Sequence, residues 1–173
     1  ILIVGGSQGA TIFDQIIPRS LDLLPYSLKK NINIFHQCSK YNLGLIKGQY
    51  EKYKISAVCK VFFNNLPDIM FKSQFVISRS GASTLSEMIA LGKPAILIPY
   101  KFAKNNHQEE NAKWFVGKGG GVILPEDELT EDKLIKQLMI FIKNKEKLKK
   151  MSKSSFSLGD DKSLLKLSKT INL

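Results

Sequence analysis

The 173-residue chain carries 26 Lys and Arg residues against 15 Asp and Glu, a net charge of +11, and 43% of its residues are hydrophobic. This length suits one globular domain with a sizeable core, and no apolar run reaches the roughly 18 residues that a membrane-spanning helix needs. The positive charge favours an anionic partner: a nucleic acid, an anionic membrane or a phosphorylated ligand. Because the chain opens directly on an apolar run, without Met or a basic leader, we expect a piece of a longer protein.

Strand-like apolar runs alternate with segments of helical spacing along the whole chain. The predicted strands are residues 1–4, 31–38, 55–63, 75–78, 95–99 and 122–124. The predicted helices are residues 11–24, 43–53, 68–72, 85–91, 107–117 and 130–141, with more helix beyond. We expect Pro18 to bend the first helix, Pro25 to end it and Thr130 to cap the last. Residues 151–173 have weaker periodicity, so we expect them to be only partly ordered.

This alternation predicts an α/β fold, an open parallel Rossmann-like sheet of about six strands with helices on both faces. We assign residues 1–157 to this domain and residues 158–173 to a helical tail. Ligands of such sheets bind where the carboxyl ends of the strands meet. The loops after strands one, three, four and five should therefore converge on one edge.

Two of these loops have the features of an anion-binding site. Ser78-Arg79-Ser80-Gly81-Ala82-Ser83-Thr84 leads from the fourth strand into a helix, whose first N–H groups and positive dipole end favour phosphate. Gly5-Gly6-Ser7-Gln8-Gly9 follows the first strand and allows a close backbone approach. It is not the dinucleotide fingerprint, because Val4 stands where that motif needs glycine. The second strand ends without the acidic residue that holds a nicotinamide ribose, and no P-loop motif occurs, so a dehydrogenase and a nucleotide triphosphatase are disfavoured.

Three polar side chains near these loops each have two interpretations. Glu87 could accept hydrogen bonds from a ribose diol, or only cap its own helix, since it follows Thr84 at the spacing of a capping box. Gln108 and Asn111 share a helix face and could bind sugar hydroxyls, although composition alone favours simple solvent exposure.

The cysteines and histidines predict no metal site. Cys38 and Cys59 lack metal-ligand spacing and companion histidines, so we expect reduced, buried thiols. His36 and His107 are the side chains expected to titrate near neutral pH.

The three ordered motifs resemble the carboxyl-terminal domain of the MurG family, the bacterial undecaprenyl-diphosphate-MurNAc-pentapeptide GlcNAc transferases. They are Gly5-Gly6-Ser7-Gln8-Gly9-Ala10, the Ser78–Ala82 segment with Thr84 and Glu87, and Asn106-His107-Gln108-Glu109 with Asn111 and Ala112. The likeness covers residues 1 to about 140. Two departures are the turn at residues 62–66, where the family has acidic residues and methionine, and residues 36–39, which lack a family glycine.

The resemblance implies the second, UDP-GlcNAc-binding half of a GT-B glycosyltransferase. The implied substrate contacts are Ser7 to the diphosphate, the Phe63 backbone to uracil, Arg79 beside the nucleotide, Ala82, Ser83 and Thr84 along the phosphates, Glu87 to the ribose, and Gln108 and Asn111 to the GlcNAc hydroxyls. It implies inverting transfer to lipid-linked MurNAc-pentapeptide without a metal or another cofactor. The general base and acceptor site would lie in an amino-terminal domain that this chain lacks.

The resemblance further implies a cytoplasmic enzyme, peripheral on the inner face of the bacterial inner membrane, with an anionic membrane surface and no nucleic acid as partner. Two alternatives remain open. One is a separate donor-binding subunit that needs an acceptor-binding partner. The other is a basic module in which the late lysines bind membrane or nucleic acid, although those lysines also suit a solvated helix face.

Overall fold

The strands form a single parallel sheet at the centre of the molecule. The structure, a computed structural model, describes residues 1–6 and 10–160. The strand order is β3-β2-β1-β4-β5-β6. The strands are β1 (Leu2–Val4), β2 (Asn33–Gln37), β3 (Ser56–Lys60), β4 (Val76–Ser78), β5 (Ala95–Leu97) and β6 (Gly121–Ile123). The helices of the described residues are α1 (Thr11–Asp22), α2 (Tyr26–Lys29), α3 (Leu43–Lys52), α4 (Leu66–Lys72), α5 (Ala82–Ala90), α6 (His107–Gly117), α7 (Glu131–Lys143) and α8 (Lys145–Ser157).

The direction of chain progression reverses between β1 and β4. Leu2 of β1 pairs with Phe35 of β2 on one side and with Val76 of β4 on the other. The first three strands therefore build outward in one direction and the last three in the other. A crevice opens outside the carboxyl ends of the strands at such a switch point, so the fold offers its ligand site between the loops after β1 and β4.

The sheet is covered on both faces, which explains why its short central strands contain no polar residue before Ser78. One apolar layer packs α1, α3 and α7 on the sheet through Phe13, Tyr50 and Leu138. The other packs α4, α5 and α6 through Met70, Leu85 and Phe115. Helix α8 packs against α5 and α7. The two layers leave the carboxyl edge of the sheet to the connecting loops.

The predicted fold class is confirmed, and the corrections concern helix ends. Helix α1 continues through Pro18 and ends at Asp22, three residues before Pro25. Thr130 caps α7 as predicted, since its Oγ1 accepts a hydrogen bond from the Lys133 N–H at 3.2 Å. Residues 151–157 belong to the regular helix α8 despite their weak periodicity, while the prediction of partial order for residues 151–173 stays a prediction beyond the described residues. The buried face of α8 uses small polar residues: Ser155 donates to the Met88 carbonyl.

The domain boundary after residue 157 stays a prediction. Leu158, just beyond it, is 4% exposed and packs with the α4, α5 and α6 layer. Residues 161–173, most of the predicted tail, lie outside the described residues.

The late lysines lie on the solvated faces of α7 and α8. Lys133 pairs with Glu128, and Lys149 pairs with Glu146, at exposed positions. In the described part of the chain, no helix is both long enough and apolar enough to cross a membrane.

Phe141 tests the packing of α7 on the sheet. Its side chain is 1% exposed, and its ring meets that of Phe75 edge-to-face with centroids 5.0 Å apart. We expect Phe141→Ala to lower the free energy of unfolding by about 3–5 kcal/mol, because it leaves a cavity in the core. Phe62→Ala is the control, because it removes a phenyl ring from a side chain that is 65% exposed. It should change the free energy of unfolding by less than about 0.5 kcal/mol. Equal effects in urea denaturation would contradict this account of the core.

Candidate functional site

A cleft of about 500 Å³ opens at the switch point, above the carboxyl ends of β1, β4 and β5. Its walls come from loops that are far apart in the sequence. The lining residues are Gly5, Gly6, Ala10, Thr11, Ile12, Arg79, Gly81, Ser83, Thr84, Tyr100, Gln108 and Glu126. The predicted convergence is present for the loops after strands one, four and five, but no residue of the loop after strand three is among the described residues that line the cleft.

The amino terminus of α5 supplies backbone donors on one wall of the cleft. The first hydrogen bond of this helix runs from the Leu85 N–H to the Gly81 carbonyl, at 3.0 Å. The N–H groups of Ala82, Ser83 and Thr84 consequently have no partner within the helix. Gly81 precedes them with no side-chain cap. Together with the helix dipole, this arrangement suits an anionic group opposite Gly5 and Gly6.

Arg79 reaches the cleft but is held by the protein itself. Its Nη1 donates to the carbonyls of Ile98 and Pro99, at 3.1 and 3.2 Å, and to Glu126 Oε2 at 2.8 Å. The guanidinium also lies over the rings of Phe13 and Tyr100, 5.0 and 5.2 Å from their centroids. Its charge is therefore already compensated, and its clearest role in the structure is to hold together the loops that form the cleft.

Gln108 and Asn111 both bind the loops around them. Gln108 Oε1 accepts a hydrogen bond from the Tyr100 N–H at 3.0 Å, while Asn111 Nδ2 donates to the Ser80 carbonyl at 3.1 Å. Ser80 in turn donates to the Gln108 carbonyl at 2.6 Å. Only Gln108 of the two amides lines the cleft. The interpretation that they are simply solvent-exposed is wrong, because each anchors α6 to a loop at the sheet edge.

The capping interpretation of Glu87 is also wrong. Helix α5 begins at Ala82 with Gly81 as its N-cap residue, so Thr84 already lies inside the first turn. Glu87 lies one turn further along the helix and is half-buried, outside the residues that line the cleft. Burial raises the pKa of the Glu87 carboxyl above its ordinary value. A partly desolvated carboxylate beside the cleft is available to a ligand that extends past the α5 terminus.

Phe63 is absent from the described residues that line the cleft. Phe63 is 4% exposed, and its ring packs edge-to-face on Phe35 in the core layer of α4 and α5. Its side chain therefore serves the core, and only its backbone is left for the predicted uracil contact. Ser7 lies outside the described residues. The roles of both residues stay predictions.

Glu126, Tyr100 and Thr11 line the cleft without having been predicted from the sequence. Glu126 follows β6 in a polar turn with two other acidic residues, so no spacing rule distinguishes it. Its Oε2 accepts from the Lys101 N–H as well as from Arg79, which joins the loop after β5 to the loop after β6. A signal of this kind exists only in three dimensions, because the partners are 25 and 47 residues apart.

Residues 1–168 of the chain match the C-terminal domain of glycosyltransferase family 28. The chain belongs to this family. A relative from Allorhizobium ampelinum, named UDP-N-acetylglucosamine--N-acetylmuramyl-(pentapeptide) pyrophosphoryl-undecaprenol N-acetylglucosamine transferase, is 37% identical over 159 residues. That alignment covers 92% of this chain and 43% of the relative. A relative of the same name from Zymomonas mobilis is 41% identical over 138 residues, covering 80% of this chain and 36% of the relative.

The fold of this family 28 domain also matches solved structures. The crystal structure of Acinetobacter baumannii MurG superimposes with a TM-score of 0.80 at 27% identity, over 90% of this chain and 46% of that one. WaaG, a glycosyltransferase involved in lipopolysaccharide biosynthesis, shares the fold with a TM-score of 0.69 at 15% identity, over 98% of this chain and 45% of that one. The family 28 domain thus spans less than half the length of these relatives.

The Arg79–Glu126 pair offers a direct test of how the cleft is held together. The two side chains are 11% and 15% exposed. We expect Glu126→Ala to lower the free energy of unfolding by about 3 kcal/mol, because it leaves a mostly buried guanidinium without its carboxylate.

Glu128→Ala is the matched control from the same turn. Glu128 pairs with Lys133 at 2.7 Å, but these side chains are 58% and 48% exposed. Its loss should cost less than about 1 kcal/mol. Similar denaturation midpoints for the two variants would show that the Arg79 pair does not hold the cleft together.

Proposed function

We propose that this domain binds UDP-GlcNAc as the donor half of a GlcNAc transferase that acts on lipid-linked MurNAc-pentapeptide in peptidoglycan synthesis. The observation that carries the proposal is the free helix terminus of α5, which faces the same cleft as Gly5, Gly6 and Gln108. One anionic group and one sugar fit such a surface. The names of the curated relatives supply the identity of both.

The diphosphate would lie against the N–H groups of Ala82, Ser83 and Thr84, opposite the glycine loop that continues to Ser7. As the bond from the anomeric carbon to the diphosphate breaks, negative charge grows on the leaving UDP. Fixed backbone donors and the α5 dipole stabilise that charge without reorganisation. Arg79 is compensated by Glu126, so its contribution is to position the surrounding loops rather than to neutralise phosphate.

The sugar and ribose would be bound by side chains that still have hydrogen-bonding capacity. Gln108 uses its Oε1 on the Tyr100 N–H, which orients the amide and leaves its two N–H donors for hexose hydroxyls. Asn111 uses one N–H on Ser80 and keeps its Oδ1 as an acceptor. Glu87 would accept from the ribose diol, and the Phe63 backbone would contact uracil.

The remaining steps belong to the whole protein. The chain spans about 36–43% of the length of the two curated relatives described above. We therefore assign the acceptor site and the general base of the inverting attack to the other half. Long single-chain relatives favour this assignment over a separate donor subunit, and the cleft favours it over a basic nucleic-acid module. A peripheral position on the cytoplasmic membrane face suits a lipid-linked acceptor, and exposed lysines of α7 and α8 could add about 1 kcal/mol each near anionic lipid.

Calorimetric titration with UDP-GlcNAc, UDP-glucose and UDP tests the donor assignment. We expect UDP-GlcNAc to bind more tightly than UDP-glucose, because the site would contact the N-acetyl-bearing sugar. Gln108→Ala should weaken UDP-GlcNAc about tenfold, the value of roughly one lost hydrogen bond to a buried partner, and affect UDP much less. The absence of any uridine-dependent heat from the folded protein would contradict the proposal.

The raised pKa of Glu87 predicts a pH dependence of donor binding. The ionised carboxylate is the better acceptor, so affinity for UDP-GlcNAc should fall as the pH drops through a pKa that burial has raised above 4.5. The loss should therefore begin at a higher pH than for an ordinary glutamate, and it is measured by titration from neutral pH down to about pH 5. Glu87→Gln should bind more weakly at neutral pH and show a flat profile. A variant that keeps the wild-type pH profile would exclude the ribose contact.

A further inference from the structure

A second polar cluster lies in the core, beneath the loop that follows β2. His36 and Cys38 alternate along the chain at the end of β2 and so point to the same face of the sheet. Helix α1 covers this face and brings Asp14 onto it. The exposed fractions of Asp14, His36 and Cys38 are 1%, 0% and 1%. Their potential ligand atoms all lie within 4.8 Å of one another.

Two atoms of this cluster have no hydrogen-bond partner. They are Asp14 Oδ1 and His36 Nε2, both buried and 3.5 Å apart. The other end of each side chain is fully engaged. Asp14 Oδ2 accepts from the Ser39 N–H at 3.1 Å and from Asn42 Nδ2 at 2.9 Å, and His36 Nδ1 lies 2.9 Å from the Tyr50 hydroxyl. Buried polar atoms are rarely left unpaired, so this pair of atoms calls for a further partner.

The charges in the cluster indicate what that partner is. Among the described residues, the one ion-pair partner of Asp14 is His36, and no Lys or Arg side chain pairs with its carboxylate. A divalent ion bound to one carboxylate and one thiolate would make the site neutral overall. Burying an unpaired carboxylate in apolar surroundings costs free energy, and pairing it with a cation or binding it to a metal offsets that cost.

We propose that Asp14, His36 and Cys38 form a structural zinc site that joins α1 to β2. Oxygen, imidazole and thiolate ligands together are typical of zinc, which binds them at about 2.0–2.3 Å in a tetrahedron. In that geometry the oxygen and nitrogen ligands lie roughly 3.4 Å apart. The Asp14–His36 separation of 3.5 Å already matches this value. Tetrahedral geometry puts sulfur about 3.5 Å from the other two ligand atoms, and Cys38 Sγ lies within 4.8 Å of both. Each of its two distances therefore has to shorten by about 1.3 Å at most.

The neighbours of the three ligands complete the site. With the metal on Nε2, the Nδ1–H of His36 would donate to the Tyr50 hydroxyl, and the Asn42 amide and the Ser39 N–H would orient the carboxylate. Cys38 donates weakly to the His36 carbonyl and loses its thiol proton to solvent when the metal–sulfur bond forms. Cys59 pairs with His36 across β2 and β3 and contacts Cys38, but it lies outside the three-residue ligand set.

Cobalt titration of the reduced, chelator-stripped protein, freed of any histidine tag, tests the site. We expect one Co²⁺ per chain, a thiolate-to-metal charge-transfer band and the intense visible bands of a tetrahedral complex. Zn²⁺ should displace the cobalt and raise the melting temperature, since it binds the native state. A folded wild-type protein that shows no saturable thiolate–cobalt band would overturn the proposal.

Two ligand variants and two control variants test the ligand set. Cys38→Ser should abolish the charge-transfer band, and Asp14→Asn, which keeps its shape and an acceptor for Ser39, should weaken Zn²⁺ by at least about 100-fold. Cys59→Ser should keep both the band and the one-to-one stoichiometry. His107→Ala, at an exposed histidine, should leave binding unchanged. Wild-type affinity in Asp14→Asn, or a band lost in Cys59→Ser and kept in Cys38→Ser, would refute the three-residue site. Asp14→Asn keeps the test decisive if Cys38→Ser does not fold.

Discussion

The ion pair between Arg79 and Glu126 is the contact on which the cleft depends. Arg79 follows β4 and Glu126 follows β6, and the same network includes the Ile98 and Pro99 carbonyls at the end of β5. The guanidinium also lies over Phe13 of α1, the helix that follows the β1 loop. One side chain therefore links the ends of four strands. Guanidinium groups suit this role because they present several donors in one plane and two faces for aromatic rings.

This arrangement determines how the cleft can bind an anion. Arg79 is the single cationic side chain among the described residues that line the cleft, and its charge is matched by Glu126. Binding of the proposed diphosphate would then rest on backbone N–H groups and the dipole of α5. Donors of this kind are fixed by the fold, cannot be titrated and lose no side-chain entropy on binding. Gln108 is held in a similar way, because its amide already accepts a hydrogen bond from the Tyr100 N–H.

Helix α1 connects the cleft to the buried cluster of Asp14, His36 and Cys38. Its N-cap residue Ala10 and its first residue Thr11 line the cleft, and Asp14 follows three residues after Thr11. Whatever partner satisfies Asp14 therefore also holds the start of α1.

The sequence alone determined the fold class, which loop follows each strand, and where along the chain the two glycine-rich turns occur. Periodicity and glycine chemistry are local properties, so they can be read from neighbouring residues. Gln108 became a candidate only through the family resemblance, because composition favoured simple solvent exposure. The role of Arg79, the capping of α5 by Gly81 rather than by Thr84, and the anchoring of Asn111 on Ser80 were decided only by tertiary structure. Each depends on a partner distant in the chain or on the residue at which a helix begins. The Asp14–His36–Cys38 cluster is of the same kind, since no spacing rule joins α1 to β2; only the packing of that helix on that strand brings the three side chains together.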